Sequence, residues 1–295
     1  MATLPPTAAK KTVKQIIQDS LGDLTRSEQQ LAHVLLQDYP MAGLQSVTKF
    51  ALAAGVSTPT VIRMARKLGF DGFPHLQEAL RDEVAAQIKK PISKHEDWQA
   101  QDADRHPLNR FADSVAENIH YTLERLDRTQ FDAVVDLLAA PERRVYVAGG
   151  RITRSNADYL FNHLQIIRPN VTQLGSFENV WPQYLLDMDE NAILILFDIR
   201  RYESSILRLA TLAHERGCKI VLFTDQWGSP VTKVADFVFH ALVEVPSSWD
   251  STVAIMVVLE ALIAEVQRSQ WEQSRKRIED LDAMFSETRL FRSFE

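Results

Sequence analysis

Apolar positions along the chain follow two regimes. Between Thr25 and Lys90 they recur three and four residues apart: Leu31, Val34 and Leu35; Val47, Phe50 and Ala51; Val61, Met64, Ala65 and Leu68; then Leu76, Leu80, Val84 and Ile88. This is the period of helices with one buried face, and no stretch there alternates as a half-buried strand does. The first fourteen residues hold prolines and lysines without such a period and are expected to be mobile. Pro91 to Leu108 is polar and reads as a linker. Two further helical patterns follow, Phe111, Val115, Ile119, Leu123 and Leu126, then Phe131, Val134, Val135 and Leu138. The second stops near Pro141.

Beyond that proline, short β-rich runs alternate with helical segments. The predicted strands are Val145–Ala148, Val171–Leu174, Ala192–Phe197, Lys219–Thr224 and Phe237–Ala241. This order implies a five-stranded parallel sheet covered on both faces. A strongly apolar helix is expected over Thr252–Trp271. A charged helical tail follows it, with Ile278, Leu281 and Phe285 still at helical spacing. The organisation read from the chain is an all-α domain over 15–90, a linker over 91–108, an α/β domain over 109–272 and a helical tail over 273–295.

Composition refines this picture. A chain of 295 residues suffices for two domains. Its single cysteine, Cys218, excludes an internal disulfide framework and fits a reducing cytoplasm. Met1–Lys14 has no apolar core of the kind a signal peptide needs. The apolar run Val253–Leu259 ends at Glu260, short of a membrane span. A cytoplasmic protein with no membrane partner is therefore expected. The net charge of −6 argues against a nucleic-acid binder until it is divided. Residues 1–90 hold 11 Lys+Arg against 8 Asp+Glu, a net +3, and residues 91–295 hold 22 against 31, a net −9. A basic head on an acidic body suits DNA binding.

The segment SVTKFALAAGVSTPTVIRMARK, Ser46–Lys67, carries the candidate chemistry of the head. Ser46 can cap a helix over Val47–Ala54, Gly55-Val56 permits a tight turn, and Ser57 can cap a second helix with Pro59 in its first turn. Two helices so joined form a helix-turn-helix, whose second helix places its first turn against base edges in the major groove. Ser57, Thr58, Thr60 and Arg63 are expected to face outward there, with Arg63 able to fork onto guanine. Thr48, Lys49, Arg66 and Lys67 are placed for phosphate oxygens. The same pattern also joins any two packed helices.

The run from LTRSEQQLAHVLL (Leu24–Leu36) through AAGVSTPTVIRMARKLGFDGFPHLQEAL (Ala53–Leu80) resembles the N-terminal domain of the RpiR family of bacterial regulators. The residues that carry the likeness are Ala51, Gly55, Val56, Ser57, Thr60, Val61 and Arg63, then Lys67, Leu68, Gly69, Phe70, Gly72 and Phe73. The resemblance implies a domain that binds double-stranded operator DNA as a dimer. The second half, Leu126–Arg268, resembles the sugar-isomerase (SIS) domain of that family. Its landmarks are Gly149–Ser155 after the first strand, then TDQWGSP (Thr224–Pro230) and VTKVADFVF (Val231–Phe239). A flavodoxin-like sheet is implied, with its ligand at the strand C-terminal ends, and the chain is expected to form a homodimer or homotetramer.

Three segments could edge that ligand site. After the first strand, Gly149 and Gly150 allow close backbone approach, and Arg151, Thr153 and Ser155 offer charge and hydroxyls at a helix N-terminus that favours an anion. After the third strand the chain reads DIRRYESS (Asp198–Ser205), where a typical SIS domain has a Ser-x-Ser-Gly-x-Thr phosphate cradle. Here Asp198, Arg200 and Arg201 stand instead. The arginines can bind phosphate or carboxylate, or Asp198 can close an internal ion-pair network with Arg151, Arg154 or Arg201. Before the last apolar helix, PSSWDST (Pro246–Thr252) offers Ser248. His163 and His240 are isolated, so no metal site and no cofactor are expected.

The leading expectation is a non-enzymatic transcriptional regulator, a repressor, sensing a small anionic metabolite such as a sugar phosphate or organic acid. A sugar-phosphate isomerase is the alternative, with Glu178, Glu203 and Asp250 as bases by position only. A ligand-free oligomerisation module is the third reading.

Overall fold

The structure, a computed structural model, describes residues 11–88, 106–175 and 177–289. The chain divides into two compact units, Met1–Lys94 and His95–Glu295.

The first unit is helical throughout its described residues: α1 (Val13–Ser20), α2 (Arg26–Gln37), α3 (Met41–Leu44), α4 (Val47–Ala53), α5 (Thr58–Lys67) and α6 (Phe73–Ile88). The periodic apolar residues meet in one core. Leu31, Leu35, Phe50, Val61, Met64, Leu76 and Leu80 are all essentially inaccessible to water, and the rings of Phe50 and Phe73 stack at 5.8 Å. The expectation of a mobile lead over the first fourteen residues lies mostly outside the described residues, and its last two positions, Val13 and Lys14, already belong to α1, where a capping box between Thr12 and Gln15 satisfies the first amides. Val13 and Ile17 then insert into the core. The Glu83 carboxylate on α6 accepts from the Val13 amide and the Tyr39 hydroxyl, tying α1 to the rest.

The expected linker lies mostly outside the described residues, and its last two positions are already helical. A helix, α7, spans Pro107–Arg125, with proline in its first turn and the His106 side chain accepting from the Leu108 amide. Then come α8 (Arg128–Ala139), β1 (Arg144–Gly149), α9 (Arg154–Ile167), β2 (Val171–Gln173), α10 (Trp181–Leu186), β3 (Ala192–Asp198), α11 (Ser204–Glu215), β4 (Lys219–Asp225), β5 (Phe237–Ala241), α12 (Val253–Ser269) and α13 (Trp271–Thr288). All strand pairs are parallel and the order is β2-β1-β3-β4-β5. Every strand foreseen in the sequence is present, within a residue or so of its expected ends.

Alternation along the strands builds two cores. Val145, Val147, Ile193, Ile195, Phe197, Val221 and Phe223 face α8, α9 and α12. Tyr146, Ala148, Leu194, Leu196, Ile220 and Leu222 face α10 and α11. Phe197, Phe223 and Phe239 stack across β3, β4 and β5 at 5.0 and 4.9 Å. The sheet is thus a middle layer, which explains why β3 reads as one unbroken apolar run.

Two helices are set by contacts the sequence reading left open. Helix α7 turns the polar Asn118 and Thr122 inward, where they bond the Glu244 carbonyl and the Leu242 amide, while Leu108, Phe111 and Leu123 stay exposed. The last helix, α13, is no detached tail. Ser274 donates to the Ile167 carbonyl at 3.0 Å, Arg277 donates to the Gln165 carbonyl at 2.9 Å, and Ile278 packs on the sheet-face core. Arg168, entirely buried, sends its guanidinium to the carbonyls of Leu138, Ala140, Arg143 and Pro169. It thereby closes the C-terminus of α8, where carbonyls lack helical partners.

Candidate functional site

In the first unit, Ser46 caps α4 by accepting from the Lys49 amide. The chain then reverses at Gly55, whose φ of +64° is a left-handed conformation that glycine adopts without strain. Helix α5 begins at once, with Ser57 in the N-cap position and Pro59 in the first turn. Its buried face is Val61, Met64 and Ala65. On the open side lie Thr48, Lys49, Ser57, Arg63, Arg66 and Lys67, with Thr58 half-buried.

Thr60 is a correction. It is buried at 6% exposure and does not face outward. Its hydroxyl shares a hydrogen bond with Ser57 Oγ at 2.9 Å and accepts one from Arg63 Nη2 at 3.1 Å. Thr60 therefore positions the two neighbours that do face outward. The Ser57 hydroxyl, engaged with Thr60, makes no capping bond to a helix amide. The phosphate candidates are also unequal. Lys67 is drawn back to the Asp23 carbonyl and to Glu28 at 3.3 Å, and Arg66 Nε donates to the Asp71 carbonyl at 3.3 Å. Thr48 and Lys49 stand in the first two turns of α4, exposed.

In the second unit, three strand ends meet at the carboxyl edge of the sheet: Gly149 beside Phe197, and Asp198 beside Thr224. Strand order reverses between β1 and β3, the place where open α/β sheets take ligands. Three loops leave this edge.

The first, Gly150–Thr153, is tightly folded. A Cβ at Gly149 would stand 2.7 Å from the Thr153 carbonyl and 2.8 Å from the Arg154 nitrogen, both rigid backbone. Gly149, read from the sequence with Gly150 as a point of close backbone approach, is the glycine this turn requires. Thr153 is buried, accepting from the Gly150 amide at 2.9 Å and donating to the Phe197 carbonyl at 2.8 Å. Its hydroxyl holds the loop to β3. Ser155 sits in the first turn of α9 and donates to the Ile152 carbonyl at 3.0 Å, so it does not cap that helix. Arg151 is exposed.

The second loop, after β3, is clamped by two buried carboxylates. Asp198 accepts from the Glu203 amide at 3.3 Å and from the Ser229 hydroxyl. Asp225 accepts from the Arg200 amide and the Tyr202 hydroxyl, each at 2.7 Å, and from the Trp227 and Gly228 amides at 3.1 Å. Burial pushes the Asp198 carboxyl up to about 6, although the Ser229 bond opposes it. Burial raises Asp225 as well, against the same kind of donors. Asp198 thus closes an internal network, but with Ser229 and not with an arginine.

The arginines divide. Arg200 stacks its guanidinium 4.2 Å over the Trp227 ring and pairs with Asp250 and Glu244, each at 3.1 Å. Only 6% of its side chain is exposed, and its guanidinium is engaged in these internal contacts. Arg201 is exposed and takes a φ of +62°. Ser248 is half-buried, two residues before Asp250. The group that does reach the first loop is Glu203. Its Oε1 accepts from the Arg151 amide at 2.7 Å and lies 2.6 Å from where a Cβ on Gly150 would be. The signal was in the chain: counted from Asp198, Asp-Ile-Arg-Arg-Tyr-Glu stands in place of Ser-x-Ser-Gly-x-Thr, with Arg201 left-handed at the glycine position and Glu203 at the threonine.

Among the described residues no group of His, Cys, Asp and Glu could hold a metal ion, and no helix is long and apolar enough to cross a membrane. Of the three carboxylates with a possible acid–base role, Glu203 and Asp250 are engaged as above, and Glu178 stands exposed in a short 3₁₀ turn.

Comparison with known proteins fits both halves. Residues 11–87 match the helix-turn-helix domain of the rpiR family, and residues 138–265 match the SIS domain. The transcriptional regulator HexR of Pseudomonas aeruginosa is 24% identical over 229 residues, covering 76% of this chain and 77% of that protein. The regulator RpiR of Escherichia coli is 23% identical over 217 residues, covering 73% and 71%. The solved Vibrio vulnificus NanR protein, complexed with ManNAc-6P, shares the fold with a TM-score of 0.55 at 16% identity, over 95% of this chain and 100% of that one. A helical head with this turn, followed by an SIS sheet, defines a helix-turn-helix transcriptional regulator. The chain belongs to the RpiR family of such regulators.

Proposed function

We propose that the protein is a repressor that binds operator DNA through α5 and releases or tightens it when its SIS domain takes up a small anionic metabolite, a sugar phosphate or organic acid. It acts without catalysing a reaction, in the cytoplasm. The observation that carries the DNA-binding reading is the first turn of α5: Ser57 and Arg63 are exposed and braced by the buried Thr60, on a helix whose opposite face is core. Arg63 is the base-reading residue, able to fork onto a guanine. Lys49, Thr48 and Arg66 hold phosphates and fix the register. A homodimer, or a pair of dimers, would present two such helices to half-sites one helical turn apart.

The relatives named above are regulators, which favours this reading over a sugar-phosphate isomerase, and among the described residues Glu203 and Asp250, candidates for an acid–base role, are held by the Arg151 amide and by Arg200. The test is binding of the full chain to the region upstream of its own gene. Arg63→Ala should lower specific affinity by about 5–150-fold, the equivalent of one lost bidentate base contact, and leave binding to unrelated DNA nearly unchanged. Equal loss on both DNAs would remove Arg63 from base readout.

A further inference from the structure

The loop that the proposed effector would enter is occupied by part of the chain itself. Glu203 is half-buried, at the N-cap position of α11, and its side chain crosses to the β1–α9 turn. There its carboxylate takes the Arg151 amide at 2.7 Å and fills the space a Cβ on Gly150 would need, 2.6 Å from that position. A carboxylate on a backbone N–H in the turn that leads into α9 is what an incoming phosphate or carboxylate would otherwise be. In the neighbouring loop Arg200 is held by Asp250 and Glu244.

We propose that Glu203 is the specificity-determining residue of the SIS site, a built-in anion that an effector's phosphate or carboxylate gains the β1–α9 loop only by displacing. This rests on the anion-sensing reading above and adds to it what the effector competes with. Displacement needs only side-chain rotation. The Glu203 backbone amide stays bonded to Asp198, and the rest of the loop stays clamped by Asp225 through the Arg200 amide and the Tyr202 hydroxyl. The N-cap position itself is indifferent to the carboxylate, which makes no capping bond to α11. Serine there removes the competitor and preserves, or improves, the helix start.

The experiment is titration of the full chain with inorganic phosphate, followed by the Gly150 and Arg151 amide resonances and by calorimetry. Glu203→Ser should bind phosphate about tenfold or more tightly than wild type, the scale of one lost charged competitor for an amide, with the Arg151 amide shifting on binding. Glu203→Gln, which keeps the size and the acceptor but not the charge, should fall between. Unaltered circular dichroism and thermal unfolding in both variants confirm that they fold. Equal phosphate affinity in wild type and Glu203→Ser, with the Arg151 amide shifting in both, would show that Glu203 does not compete and would overturn the inference alone. No shift of the Arg151 amide in any of the three proteins would overturn the inference and the placing of the effector at this loop together, leaving the DNA-binding reading to its own assay.

Discussion

Single residues here carry more than their sequence neighbourhood suggests. Arg168 is the clearest case. It is fully buried among four carbonyls with no carboxylate bonded to its guanidinium, and burial pushes its guanidinium down to about 10, still well above neutrality. Arg168→Ala would strand several carbonyls in the interior at about 1–3 kcal/mol each, so a loss of roughly 3 kcal/mol or more in the second unit is expected. Chemical denaturation of the full chain measures this, and a loss under about 1 kcal/mol would mean that water replaces the guanidinium. Nothing in the sequence marks Arg168 as buried, because its partners are backbone atoms of four different positions. Thr60 was misplaced for a related reason. Its place at the start of the second helix put it among the outward residues, yet it stands one turn before the buried Met64, its hydroxyl is satisfied by Ser57 and Arg63, and a side chain so satisfied can be buried at little cost.

Elements were legible where a period runs long. The five strands, the apolar α12 and the helices α2, α4, α5 and α6 follow from repeats of two or of three and four. Helix α1 was missed because it is short and its start is written in a capping box, Thr12 with Gln15, and not in hydrophobicity. Helix α7 was read as having one apolar face, and its rotation, which puts Ile119 and Leu126 on the core, is set by hydrogen bonds from Asn118 and to Thr122 that the sequence does not show. The loops at the strand ends were the least legible, since Asp198, Asp225 and Ser229 come together only through strand order. Their network yields a pH test. A carboxyl raised to about 6 in the folded chain from an ordinary 3.8 is stabilising when protonated. That contribution is complete below the unfolded value and is lost as pH rises through about 6, up to about 3 kcal/mol for such a shift. Asp198→Asn removes the titrating group. Its stability relative to wild type should therefore rise between pH 4.5 and pH 7.5 in denaturant unfolding, whereas a constant difference would mean that the wild-type carboxyl titrates normally.

At the scale of the whole molecule, the two units divide the labour that the charge pattern first hinted at, net +3 over residues 1–90 and −9 over 91–295. Each has its own core, so the head can keep its fold while the SIS domain answers an effector. Such an effector changes DNA affinity only if it binds one arrangement of the assembly better than another. The Glu203 contact gives this a physical form, because whatever displaces that carboxylate also frees a side chain at the start of α11.

The central claim is that the first turn of α5 enters the major groove. The chain is suited to a direct test, since its single cysteine, Cys218, is buried and its thiol is pushed up to about 12 by burial. A Thr58→Cys variant can therefore be labelled at one place with a chelate that cleaves nearby DNA, and Glu78→Cys on α6 serves as the control. The account predicts paired cleavage by the Thr58→Cys conjugate within two half-sites about one helical turn apart, and weak or displaced cleavage by the control. Cleavage by the control at the same positions, or none by the Thr58→Cys conjugate on DNA that it still binds, would contradict it.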